Sequence, residues 1–126
     1  MGYNEKCQLL VIGDSTVGKT SILGRYTNGI FNANYLATVG LDNFTKDEII
    51  DNKTVRIKIW DTAGQEKYRS LTQIFYKDAS IAILVYDITN ESSFEEMQNY
   101  WYEQIKECSP KEISIYSYLI YFIYLI

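Results

Sequence analysis

Apolar and polar positions fall into blocks with two different periods, and the blocks alternate along the chain. Residues 8–12, QLLVI, form a short apolar run closed by Gly13, the pattern of a buried strand. A helical pattern follows over 20–26. Residues 43–50 and 54–60 read as two strands about the turn Asp51-Asn52-Lys53. In the second of these, Val55, Ile57 and Ile59 alternate with Arg56 and Lys58, which predicts one buried face and one wet face. Residues 80–86, SIAILVY, are apolar throughout, as expected of a strand covered on both faces. Ser92-Ser93-Phe94-Glu95 carries a capping-box signature for a helix. Phe94, Met97, Trp101, Ile105 and Cys108 then recur at spacings of three and four, an amphipathic stripe assigned to the core, and Pro110 closes the region. Strands alternating with helices predict an α/β fold, a mostly parallel sheet with helices on both faces. No repeat or linker interrupts the pattern, so one domain over 1–126 is expected.

Composition narrows the chemistry. The chain has 126 residues, 47 % hydrophobic and 22 % charged, a globular balance. The net charge of −4 argues against nucleic acid as a partner, since a basic face is the usual footprint. There is no histidine, which removes the commonest general base and metal ligand and disfavours triad hydrolases and zinc enzymes. Cys7 and Cys108 fit neither a zinc spacing nor a redox pair, so a reduced, cytoplasmic protein is expected. The N-terminus lacks the basic and apolar regions of a signal peptide, Lys6 breaks the myristoylation pattern, and no C-terminal cysteine offers a prenyl anchor.

One stretch carries specific chemistry. Gly13-Asp14-Ser15-Thr16-Val17-Gly18-Lys19-Thr20 fits G-x-x-x-x-G-K-[ST] between a predicted strand and a predicted helix. In that pattern successive backbone N–H groups turn inward toward phosphate oxygens. Lys19 reaches the β- and γ-phosphates, Thr20 offers a hydroxyl to Mg²⁺, and the helix start, with Ser21, adds its positive end. Asp14, Ser15, Thr16, Val17, Gly18, Lys19, Thr20 and Ser21 are thus the candidate nucleotide-binding residues. A second cluster, Trp60-Asp61-Thr62-Ala63-Gly64-Gln65-Glu66, follows a strand. Asp61 is placed to hold the metal, through water. Gly64 lets a backbone N–H approach a γ-phosphate, and Gln65, both donor and acceptor, suits the positioning of an attacking water.

With both clusters in view the chain resembles the Ras-like small GTPases, and among them the Rab family. WDTAGQEKYRSL is similar to the Rab second switch, and VYDIT followed by Ser93-Phe94 is similar to the family's fourth strand and third helix start. The resemblance covers residues 5–112. It implies that Thr38, eighteen residues after Thr20, is a second hydroxyl on Mg²⁺ and senses the γ-phosphate. It also implies that Phe31, twelve residues after Lys19, lies against the guanine, and that Tyr35 covers the phosphates. The implied activity is hydrolysis of GTP to GDP and phosphate with Mg²⁺, as a switch in intracellular vesicle trafficking. Family partners are a GTPase-activating protein, an exchange factor and effectors. No arginine stands in the phosphate loop, and Arg25 is expected to face solvent. Slow intrinsic turnover is therefore implied, with a partner's arginine worth about 10³–10⁵ in rate.

Two departures stand out. The Rab first switch runs T-I-G-x-D-F, whereas Thr38-Val39-Gly40-Leu41-Asp42 is followed here by Asn43, with Phe44 one place later. On a strand that shift sends the aromatic to the opposite face. Trp60 and Phe75 match two of three aromatic positions touched by Rab effectors, and Asn43 breaks the third. Beyond 112 the family's N-K-x-D and S-A-K motifs, which hold guanine, do not occur. The charge-free run ISIYSYLIYFIYLI, residues 113–126, stands in their region. Fourteen residues are too few for a membrane-crossing helix, which needs about 17–25. A core strand over 113–119 suits the β-branched and aromatic content. The abrupt change of composition favours a truncated product, with an aberrant tail over 113–126 and a fold missing its last strand and helices. It would expose apolar surface and act at most as a nucleotide-unselective binding module.

Overall fold

The computed structural model describes residues 2, 4–28, 41–62, 75–109 and 113–120. Among the described residues five strands form one sheet: β1 (Glu5–Ile12), β2 (Leu41–Ile50), β3 (Lys53–Thr62), β4 (Ile81–Asp87) and β5 (Ser114–Ile120), in the order β2-β3-β1-β4-β5. β1 runs parallel to β3 and to β4, and β4 parallel to β5; β2 alone is antiparallel, to β3. This is the mixed, mostly parallel α/β sheet that the alternation of strands and helices predicts. Helix α1 (Lys19–Asn28) follows β1, and a short 3-10 turn (Tyr76–Asp78) precedes β4. Between β4 and β5 stands a helical rod, α2. It is α-helical over Glu91–Glu96, π-helical over Met97–Trp101 and α-helical again over Tyr102–Cys108.

The strand period divides the interior in two. From β1, Leu10 and Ile12 point to a cluster completed by Tyr76, Ala79, Ala82, Leu84, Met97, Trp101 and Ile105, under the rod. Val11, between them, points to the other face with Val17, Leu23, Ile59 and Val85, under α1. Alternate residues of one strand thus bury against different helices, as a sheet covered on both sides requires. β4 behaves as its unbroken apolar run predicts: Leu84 joins one cluster and its neighbour Val85 the other.

Several boundaries differ from the sequence reading for local reasons. The β2–β3 turn has two residues, not three. Asp51 (φ 49°) and Asn52 (φ 63°) both take the left-handed conformation of a type I′ turn, which matches the strand twist and lets Lys53 pair with Ile50. The helix cap is Asn90, not Ser92. The Asp87 carboxylate accepts the Thr89 N–H at 2.8 Å, and the chain turns early enough for Asn90 Oδ1 to accept the Ser93 N–H at 3.4 Å. Ser93 is buried, and its hydroxyl accepts the Asp87 N–H at 2.9 Å while donating to the Asn90 carbonyl at 2.8 Å. Phe94 is 37 % exposed rather than core. Its ring lies 5.0 Å from that of Tyr86, over the end of β4.

The strand reading of the last segment holds over Ser114–Ile120, which pairs in parallel with β4 from Ile81↔Ser114 to Asp87↔Ile120. Ile113 and Ile115 pack against the cluster under the rod. Residues 121–126 lie outside the described residues. No helix among the described residues is long and apolar enough to cross a membrane.

Ser93 joins strand, turn and rod. Ser93→Ala should lower unfolding stability by about 1–3 kcal/mol, the range for a buried hydrogen-bonding group left without its partner. Urea denaturation followed by circular dichroism measures it, and a loss under about 0.5 kcal/mol would show that the hydroxyl does not join them.

Candidate nucleotide-phosphate site

The parallel strands β1 and β3 deliver their C-terminal ends to one edge of the sheet. Register pairs Val11 with Asp61, so the loop leaving β1 and the carboxylate ending β3 arrive together. The strand order reverses about β1, which has β3 on one side and β4 on the other. The crevice outside the carboxyl ends at such a reversal is where open α/β sheets place ligands.

The loop over residues 13–18 holds a shape that few residues tolerate. Gly13 passes so close to β4 that an added Cβ would stand 2.2 Å from the Val85 carbonyl oxygen, a distance that bars any side chain. Thr16 (φ 65°) and Gly18 (φ 100°) both have positive φ. Such conformations turn backbone N–H groups inward, and at Thr16, which is not glycine, one persists only where the surroundings hold it. Val17 is buried in the cluster beneath α1, so its side chain anchors the loop and its backbone is what it can offer a ligand.

Lys19 opens α1 and is 5 % exposed. Its ammonium donates to the Gly13 carbonyl at 2.8 Å and to the Asp14 carbonyl at 2.5 Å, so the side chain folds back along the loop. Burial pushes the Lys19 ammonium down to about 8, opposed in part by the nearby carboxylates of Asp61 and Asp14. The next residue, Thr20, donates its hydroxyl to Asp61 Oδ2 at 2.5 Å, and Asp61 is fully buried. A hydroxyl and a carboxylate oxygen side by side are hard donors of the kind Mg²⁺ takes. Among the described residues no group of three His, Cys, Asp or Glu is placed to hold a metal ion. Such an ion would need ligand phosphates and water to complete its shell.

Of the residues singled out in the sequence, the structure brings Asp14, Lys19, Thr20 and Asp61 together, with Ser15, Thr16, Val17 and Gly18 forming the loop and Ser21 the first turn of α1. Phe31, Tyr35, Thr38, Gly64 and Gln65 lie outside the described residues. Arg25 is exposed, as expected. Asn43 stands opposite Trp60 in the β2–β3 ladder and is exposed, while Phe44, opposite Ile59, packs toward the cluster under α1. The one-residue shift has therefore turned the aromatic to the inner face. One contact had no signal in the spacing: the Trp101 indole N–H donates to Asp14 Oδ1 at 2.9 Å. The helical stripe marks Trp101 as core, and only the need of a buried indole for an acceptor hints at more.

The depressed Lys19 value carries a pH signature. The unfolded chain holds this proton up to about 10.5 and the folded one only to about 8, so between them the unfolded state binds more protons and folding gains stability as pH rises. The ligand-free protein should gain stability relative to Lys19→Met across that window, by at most about 1.4 kcal/mol per pH unit, and not below it. Denaturant titrations at stepped pH measure the difference; a flat one would show an ammonium still in water.

Comparison with known proteins agrees with this geometry. The sequence model of the Ras family matches residues 8–119. The chain is 39 % identical over 113 residues to the Ypt/Rab-type GTPase avaA of Emericella nidulans, covering 90 % of this chain and 55 % of that protein. It is 44 % identical over 117 residues to the Ras-related protein RABA4d of Arabidopsis thaliana, covering 90 % and 52 %. It is 45 % identical over 105 residues to the Ras-related protein Rab-13 of Rattus norvegicus, covering 83 % and 51 %. The chain spans about half the length of the curated relatives it matches. Together with the phosphate loop and the sheet that carries it, these matches show that the chain belongs to the Ras family and is of the Rab type.

Proposed function

We propose that this chain binds the phosphates of a guanine nucleotide in the loop over residues 13–20 and hydrolyses GTP to GDP and phosphate, as a Rab-type switch in vesicle trafficking. The observation that carries the reading is the loop's geometry: Gly13 pressed against Val85, a positive φ at Thr16, and the buried Lys19 at the start of α1 beside Thr20 and Asp61. A polyanion is the ligand that completes it.

Each residue then has a task. Lys19 gives its ammonium to the β- and γ-phosphate oxygens, and the amides of Asp14, Ser15, Thr16, Val17 and Gly18 donate to the same oxygens. Thr20, Thr38 as the second hydroxyl and, through water, Asp61 would hold Mg²⁺, which would neutralise charge on the phosphates. Ser21 continues the cradle. Phe31 lies against the base, and Tyr35 covers the phosphates. Gln65 orients the attacking water in line with the γ-phosphate, whose bond to the β-phosphate oxygen breaks as the water oxygen bonds to phosphorus. Thr38 and Gly64 sense the γ-phosphate, and its departure releases both segments. An activating protein, an exchange factor and effectors act on that switch. With Asn43 where the family has an aromatic, the effector face keeps Trp60 and Phe75, whose rings lie 4.6 Å apart. The protein works in the cytoplasm, whereas family members sit on endomembranes, and 1–126 acts as one domain.

Calorimetric titration with GTP, ATP and inorganic pyrophosphate, each with Mg²⁺, tests the reading. GTP should bind more tightly than ATP, and Lys19→Ala should weaken GTP by about 10- to 100-fold, as the loss of a charge-assisted contact implies. Equal binding of the three would leave a nucleotide-unselective phosphate module in place of the switch. Unchanged affinity in folded Lys19→Ala would remove the phosphate site altogether.

A further inference from the structure

We infer that Trp101 is a positioning residue for the phosphate loop: its indole N–H holds the Asp14 carboxylate against the α2 rod and keeps the loop in cradle form. The inference rests on the nucleotide-binding role proposed above for that loop.

Trp101 sits 87 residues from Asp14 in sequence, is fully buried in the cluster beneath the rod, and donates to Asp14 Oδ1 at 2.9 Å. It closes the π-helical turn Met97–Trp101, and such wide turns re-aim side chains and concentrate at functional sites. Its ring stands at 85° to that of Tyr100, with the centroids 4.9 Å apart. A large, enclosed ring has little rotational freedom, so its N–H is a fixed donor.

Asp14 is held at both ends. Its carboxylate takes the Trp101 N–H, and its carbonyl takes the Lys19 ammonium. The loop is thereby tied to both faces of the sheet: Asp14 to the rod side, and Val17 to the side under α1. That double tether helps hold Thr16 at a positive φ that a loose loop would relax. It also answers an electrostatic problem. A carboxylate inside an anion cradle repels the incoming phosphates, and a donor fixed on the rod holds Asp14 out of their way. The ordering is completed in folding, so less ordering is left to offset binding.

Packing alone would also bury Trp101, so the test separates the ring from its N–H. Trp101→Phe retains an aromatic ring and deletes the donor. Affinity for inorganic pyrophosphate with Mg²⁺ should fall about tenfold, and in an Asp14→Ala background the same substitution should change it less than about twofold. In Trp60→Phe protein, where Trp101 is the remaining indole, its emission should shift when pyrophosphate binds. A lower denaturation midpoint with affinity unchanged within twofold, or an equal loss in both backgrounds, would overturn the inference. Should Trp101→Phe not fold, the bond is read from its other end: Asp14→Leu, which cannot accept, should bind pyrophosphate more weakly than Asp14→Asn, which can, and equal affinities would overturn it. Lys19→Ala run alongside separates the two proposals. Loss with Lys19→Ala but not with Trp101→Phe refutes the positioning role alone; no loss with Lys19→Ala refutes the phosphate site beneath it.

Discussion

The site depends on one buried positive charge. Lys19 spends its ammonium on two carbonyls of its own loop, with the carboxylates of Asp61 and Asp14 close enough to offset part of its burial. A lysine in that position is expensive in water-free surroundings. The loop geometry, the helix that starts at Lys19 and the carboxylate that ends β3 all converge on it. That convergence is what the proposed phosphate site requires of them.

The sheet converts sequence order into that convergence. Parallel pairing of β1 with β3 carries Asp61 to the level of Val11, and α1 can begin only after the chain has passed Gly13, pressed against β4. Helices on opposite faces then pack against alternate residues of the same strands. The loop is consequently wedged between two cores rather than perched on one, which is what gives a short glycine-rich turn a defined shape.

The legible parts of this protein were those with a short-range rule behind them. G-x-x-x-x-G-K-T between strand and helix marked the loop because glycine spacing and local order together specify it. Strand alternation marked the inner and outer faces of β3, and the period of two correctly sent Phe44 inward and Asn43 outward. What escaped was decided by competition between neighbours or by partners far along the chain. Asn90 took the cap from Ser92 because the Asp87 turn starts the helix early. Lys53 joined the ladder because both Asp51 and Asn52 accept positive φ. The Trp101 bond to Asp14 spans 87 residues and follows from the sheet order, which no local pattern encodes.

The most direct measurement of the central claim is the titration of the Lys19 ammonium itself, by NMR of the protein carrying ¹³C-labelled lysine, with and without pyrophosphate and Mg²⁺. The midpoint should be depressed to about 8 in the free protein and displaced upward when the anion binds beside it. A midpoint that does not move on saturation with pyrophosphate would contradict that claim.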